Sequence, residues 1–236
     1  MLELRNIQYQ VEDNKEILRD INLKIGDGFV AITGPNGGGK STLAKIIAGI
    51  VKPTGGQILL DGEDITNLSI TERAHKGISY AFQQPVRFKG LTVKDLLTLA
   101  AGKNTSVTDA CKILSEVGLC ARDYIDREIN ASLSGGELKR IEIAMIIARG
   151  TKFSIFDEPE AGIDLWSFNS LIKVFEDMHD KINGSILIIS HQERILNIAD
   201  EIIVIADGKL ENQGSGKEIL PGLLQSVGGT CNALLK

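Results

Sequence analysis

The eight residues from Gly34 to Ser41, GPNGGGKS, constrain this chain more than any other stretch. They follow the apolar run GFVAIT and open KSTLAKIIAGI, where Leu43, Ile46, Ile47 and Ile50 recur at helical spacing. Strand, glycine loop and helix thus come in immediate succession, and the loop fits the pattern G-x-x-x-x-G-K-[ST]. Glycines let a backbone wrap an anion with its N–H groups, and the positive end of the helix adds to the attraction. The wrap is Gly34, Pro35, Asn36, Gly37, Gly38 and Gly39. Lys40 is placed to reach the β and γ phosphates of a nucleotide, and the hydroxyl of Ser41, with Thr42 behind it, lies where Mg²⁺ would bind.

The surrounding pattern sets the fold class. LELRNIQYQV and EILRDINLKI read as short strands broken by the polar turn EDNK, and PTGGQILLDGEDI reads as a strand pair with glycine turns. Residues from about 91 to 149 are mostly helical; in VTDACKILSEVGL, Val107, Ala110, Cys111, Leu114 and Val117 share one face. KFSIF and SILIIS are apolar runs of the kind that form buried parallel strands. Between them SFNSLIKVFEDMHDKI has a crossover-helix pattern, with Phe168, Leu171, Ile172, Phe175 and Ile182. EIIVIADGKL reads as a late hairpin turning at Asp207-Gly208. The expectation is an α/β fold: a parallel-sheet core, a helical insertion and a small antiparallel sheet near the N-terminus.

FSIFDEPEAGIDL then poses a problem of charge, because Asp157, Glu158, Glu160 and Asp164 fall within eight positions behind an apolar strand. Such carboxylates repel one another in a low-dielectric site unless something positive lies among them. A Mg²⁺–triphosphate at Lys40 supplies it. Successive side chains on a strand point to opposite faces, so Asp157 suits the metal shell while Glu158 faces an attacking water. A second anion-binding end lies in LSGGELKR: Ser134 and Glu137 have capping-box spacing, with two glycines exposing the N–H groups of a helix start.

The net charge of −5 gives no electrostatic footprint for nucleic acid. The Met-Leu-Glu-Leu-Arg start lacks the long apolar core of a signal peptide, and no apolar run approaches a membrane span. Cys111, Cys120 and Cys231 have no metal-ligand spacing and read as free thiols of a cytoplasmic protein.

Six stretches in order resemble the ATP-binding cassette ATPases across nearly the whole chain: GPNGGGKS, Gln83 in YAFQQP, LSGGE, FSIFDE, AGID and His191 in IISHQE. The resemblance implies a RecA-like P-loop NTPase core, with residues 1–236 as one domain and a helical subdomain of about 86–150 inserted in it. It also implies a head-to-tail homodimer, in which each ATP lies between one Gly34–Ser41 loop and the partner's Ser134, Gly135, Gly136 and Glu137. Gln83 would join Ser41 and Asp157 around Mg²⁺. His191 would contact the γ-phosphate and hold the water with Glu158 as catalytic base, and Asp164 would communicate across the dimer. One position departs from the pattern: the aromatic that usually stacks on adenine falls at or near Val11, with Tyr9 two residues earlier.

Transport cassettes commonly read DEPTSALD where this chain has DEPEAGID. That version, with AFQQPVRFKG and SGGELKRIEIA, looks like the SufC branch, the soluble ATPase of iron–sulfur cluster assembly, and implies a SufB-like scaffold as partner. The alternative is the nucleotide-binding subunit of a membrane transporter, to which the segment IVKPTGGQILLDGEDI is similar. In either case the segment after Gln83, with Val86 and Phe88 alternating with Arg87 and Lys89, is the expected partner surface.

Overall fold

The computed structural model describes residues 1–12, 15–130, 132–181 and 184–228. Ile182 and Cys231, singled out above, lie outside the described residues. The chain begins with β1 (Leu2–Gln10), β2 (Glu16–Ile25), β3 (Gly28–Thr33) and α1 (Lys40–Ala48), followed by β4 (Gly55–Leu60), β5 (Glu63–Asp64), α2 (Ile70–His75) and β6 (Ile78–Ala81). Four helices come next: α3 (Val93–Ala101), α4 (Val107–Glu116), α5 (Ala121–Tyr124) and α6 (Gly135–Arg149). The last third is β7 (Phe153–Asp157), α7 (Leu165–Lys181), β8 (Ser185–Ile189), α8 (Glu193–Ile198), β9 (Glu201–Ala206), β10 (Lys209–Ser215) and α9 (Gly216–Gly228).

Two sheets form. The order β2-β1-β4-β5 is antiparallel throughout, and the order β10-β9-β3-β8-β7-β6 is parallel except for the β9–β10 hairpin at its edge. Every residue of β7 and β8 is buried, as expected for parallel strands covered on both faces. The strand period of two divides the core. Val30, Ile32, Ile155, Leu187 and Ile203 face α1 and the antiparallel sheet, while Phe29, Ala31, Phe156, Ile186 and Ile202 face α6 and α7. The small sheet thus covers one side of the large one and the helices cover the other.

This layering brings the strand ends to one edge. Asp157 is in register with Ile189, and Ile32 with the same residue, so β3, β7 and β8 finish side by side where parallel sheets bind ligands. Helix α1 is fixed behind that edge by Arg73, a buried guanidinium that donates to the carbonyls of Ile46, Ile47 and Thr66. The Ile46 and Ile47 carbonyls belong to the negative end of α1, whose positive end is aimed at the strand ends.

Some expectations need correction. Ile50 lies beyond α1, which stops at Gly49 in a left-handed cap. Val107 is exposed and Cys111 only half-buried, because α4 meets its neighbours through Ala110, Leu114 and Val117 with Ile113 beside them. Val107 belongs to the first turn, before that contact begins. Elements α2, β6, α8 and α9 had no counterpart in the sequence reading. Among the described residues, no helix is long and apolar enough to cross a membrane.

Candidate active site

The loop between β3 and α1 is shaped by what presses on it. A Cβ at Gly34 would lie 2.0 Å from the Ile205 carbonyl oxygen, and one at Gly39 would strike the Leu18 side chain at 2.6 Å. Both have positive φ, 132° and 100°, so only glycine serves there without strain. Helix α1 starts at Gly39 with no side-chain cap and no acid in its first turn. Lys40 is buried, and its Nζ donates to the carbonyls of Gly34 and Pro35 at 2.8 and 2.9 Å. Burial pulls the Lys40 pKa down, while Glu158 and Asp157 act to raise it.

The four carboxylates at and behind the end of β7 each take different partners. Asp157, 3% exposed, accepts the Ser41 hydroxyl at 2.8 Å on Oδ1 and the Tyr80 hydroxyl at 2.6 Å on Oδ2. Glu158 accepts the Gln83 amide at 2.5 Å on Oε2, and its Oε1 lies 3.9 Å from His191 Nε2. Its backbone is left-handed, φ 45°, and its N–H is tied to the Ile189 carbonyl. Strain of that kind in a non-glycine residue, held by neighbouring structure, marks a site where direction matters more than local comfort. Glu160 is turned inward to accept the Ser190 hydroxyl, and burial raises its pKa. Asp164 accepts the N–H groups of Trp166 and Ser167 at 3.0 Å and so caps α7.

Gln83 therefore rests on Glu158, and Ser41 and Asp157 meet without it. Their hydroxyl and carboxylate are hard oxygen donors in contact at the end of a glycine loop, which fits Mg²⁺ held by one or two protein oxygens together with substrate phosphates. Among the described residues, no group of three or more His, Cys, Asp or Glu forms a metal cage of its own. Burial lowers the pKa of His191, and the charge of Lys40 lowers it further against the opposing pull of Glu158. The imidazole is thus neutral at pH 7.

Ser134, Gly135, Gly136 and Glu137 begin α6 as expected, with a full capping box. The Ser134 side chain accepts the Glu137 N–H at 3.2 Å, and Glu137 accepts the Ser134 N–H at 2.7 Å. The glycines have a second reason to be there. A Cβ on Gly136 would meet Ser167 at 2.9 Å, and one on Gly135 the Gly162 carbonyl at 3.2 Å, so α7 and the turn before it press directly against this helix end. Near the N-terminal sheet, Tyr9 packs against the core and Val11 is exposed at the strand end.

The sequence reading missed Tyr80, although it stands three residues before Gln83, because β6 was not anticipated. It also assigned no role to Lys139 and Glu142 on α6.

The family described as ABC transporter matches residues 18–161. An uncharacterized ABC transporter ATP-binding protein of Methanocaldococcus jannaschii is 41% identical over 215 residues, covering 87% of this chain and 86% of the relative. A probable ABC transporter ATP-binding protein of Streptococcus pyogenes is 36% identical over 250 residues, covering 97% and 96%. Among solved structures, cbiO1 of Clostridium perfringens, part of the ABC transporter complex cbiONQ, aligns with a TM-score of 0.80 at 27% identity, over 96% of this chain and 93% of that one.

Proposed function

The chain belongs to the ABC transporter family, and from that premise we propose how its residues divide the work of ATP hydrolysis. It is an ATPase that uses ATP with Mg²⁺. The reading of the site rests on one observation: Ser41 at the start of α1 and Asp157 at the end of β7, 116 positions apart, meet at 2.8 Å beside Glu158. Residues Gly34 to Gly39, Lys40 and Thr42 hold the phosphates. Ser41 and Asp157 hold Mg²⁺, joined by Gln83 once it leaves Glu158; when bound, the metal draws off charge developing on the transferred phosphoryl group. Glu158 takes the proton of the attacking water, and neutral His191 orients that water against the γ-phosphate. Val11 offers apolar surface to the base in place of an aromatic ring.

Ser134, Gly135, Gly136 and Glu137 act on the ATP of a second copy in a head-to-tail dimer, and Asp164, on the turn against them, carries contact between the copies. The whole of 1–236 is then one cassette, with a helical part of about 86–150 inserted in the core. Glu158→Gln tests the site, because the amide keeps the shape and loses the base. Phosphate release should fall by about 10²- to 10⁴-fold while ATP still binds. Wild-type turnover in this variant would remove Glu158 from the mechanism.

The partner reading that fits the relatives best is a membrane transporter subunit. An open apolar groove of about 430 Å³ lies beside Gln83, lined by Ile70, Phe82, Val86, Phe88, Leu99 and Met145. Phe88 is 38% exposed there, so it is surface and not core. A second reading, a SufB-like scaffold in the cytoplasm, draws on Glu160: where transport cassettes carry a small residue, this chain buries a carboxylate on Ser190. Capture from a fractionated lysate separates them. Integral membrane subunits alone would end the scaffold reading, and a soluble scaffold alone would end the transporter one.

A further inference from the structure

Lys139, inside α6, is 2% exposed, and a lysine is seldom so deep unless its ammonium is paired. Its Nζ donates to the backbone carbonyl of Phe82 and to Glu142 Oε2, 3.1 Å away. Glu142, on the same helix face, accepts the Phe82 N–H at 3.0 Å on its other oxygen. Two side chains of one helix thus hold both hydrogen-bonding groups of a single residue. Phe82 is the first residue past β6, whose pairing with β7 ends at Ala81, and the last before Gln83. Gln83 in turn rests on Glu158.

A buried ion pair is weak support for stability, since apolar residues of similar volume often serve as well. What this pair adds is a fixed distance between α6 and the backbone before Gln83. Ser134 caps the helix eight residues ahead of Glu142, about 12 Å along a rigid rod. We infer that Lys139 and Glu142 are positioning residues that fasten Gln83 to the helix bearing Ser134, so that a shift of α6 toward a nucleotide lifts Gln83 from Glu158. The resting chain keeps its base occupied by the Gln83 amide, and engagement of the α6 end releases it. The inference rests on the roles proposed above for Gln83, Glu158 and Ser134.

The test is a cycle on the full chain between Lys139→Met/Glu142→Leu and Gln83→Ala. The apolar pair preserves side-chain volume and removes both bonds to the Phe82 backbone together. The double replacement should lower kcat by about tenfold and leave KM and the ATP Kd within about twofold, and in the Gln83→Ala background it should change kcat by less than about twofold. Wild-type kcat, or the same loss in both backgrounds, would overturn the clamp. Should the double variant not fold, Glu142→Gln, which keeps an oxygen for the Phe82 N–H and sheds the charge that holds Lys139, enters the same cycle. Its kcat should fall by about threefold, again only when Gln83 is present. Glu158→Gln is measured alongside. Normal turnover there strikes the proposed site itself, whereas additive losses with an inactive Glu158→Gln strike the clamp alone.

Discussion

Helices α1 and α6 both begin at glycine-rich turns suited to anions, yet their N-termini are finished in opposite ways. Any helix start leaves backbone N–H groups without intrahelical partners. At α1 no side chain caps them and no acid sits in the first turn. At α6 Ser134 and Glu137 already supply oxygens, and the Glu137 carboxylate adds negative charge where a phosphate would arrive. Glu137 is held there by the Tyr124 hydroxyl, with Arg127 3.7 Å away. The first end attracts a free nucleotide by itself. The second has its Glu137 N–H already capped and a carboxylate beside it, so on the roles proposed above it gains from a phosphate when another chain presents one at high effective concentration. Under the proposed function the difference sets an order of events: ATP would join the α1 loop first, and α6 of a second copy would close on it afterwards.

Lys40→Met attacks the first end and should have the largest effect. Loss of a charge-assisted contact worth about 1.5–3 kcal/mol should weaken ATP binding by about 10- to 150-fold, read by calorimetry. A change below about threefold would mean the loop does not act first. Ser134→Asp attacks the second end and separates its two duties. Aspartate caps a helix as well as serine, so the melting temperature should hold within about 2 °C, while the added charge cuts hydrolysis by about tenfold or more. A stable variant with full turnover would make α6 an ordinary capped helix. The smallest effect is on protonation. Burial and Lys40 hold His191 below the usual imidazole value of 6.5, so it takes up its proton only at more acidic pH and is neutral above that value. An NMR titration should place the midpoint below 6.5, and Lys40→Met should move it upward. An unmoved midpoint would take Lys40 out of the field that His191 feels.

How far these two ends could be read in the sequence differs for a physical reason. The α1 loop was legible because strand, glycines, lysine and helix are contiguous, and local spacing encodes local geometry. The α6 cap was legible through Ser134 and Glu137 for the same reason. What lay hidden depends on distant chain. GELKRIEIA read only as helix, and Lys139 and Glu142 lie inward because a segment some sixty residues earlier closes over them, leaving Lys139 buried and Glu142 half-buried. Strand β6 has four residues and exists by pairing with β7, so Tyr80 could not be placed on Asp157 beforehand. The clustered acids pointed to a positive group among them, and in the structure each carboxylate accepts from hydroxyl, amide or backbone N–H donors. The sequence alone could not show that Glu160 would find Ser190 and that Asp164 would serve its own helix.

The order of events is tested most directly by following ATP binding and assembly in one pair of proteins, Glu158→Gln and Glu158→Gln/Ser134→Asp. Both carry an intact α1 loop and neither should turn over substrate. The account predicts ATP Kd values for the monomers within about twofold of each other, with ATP-dependent dimers in sedimentation only for Glu158→Gln. A Ser134→Asp change that weakens ATP binding to the isolated monomer by about tenfold or more would show that α6 serves the nucleotide of its own chain, and would contradict the account.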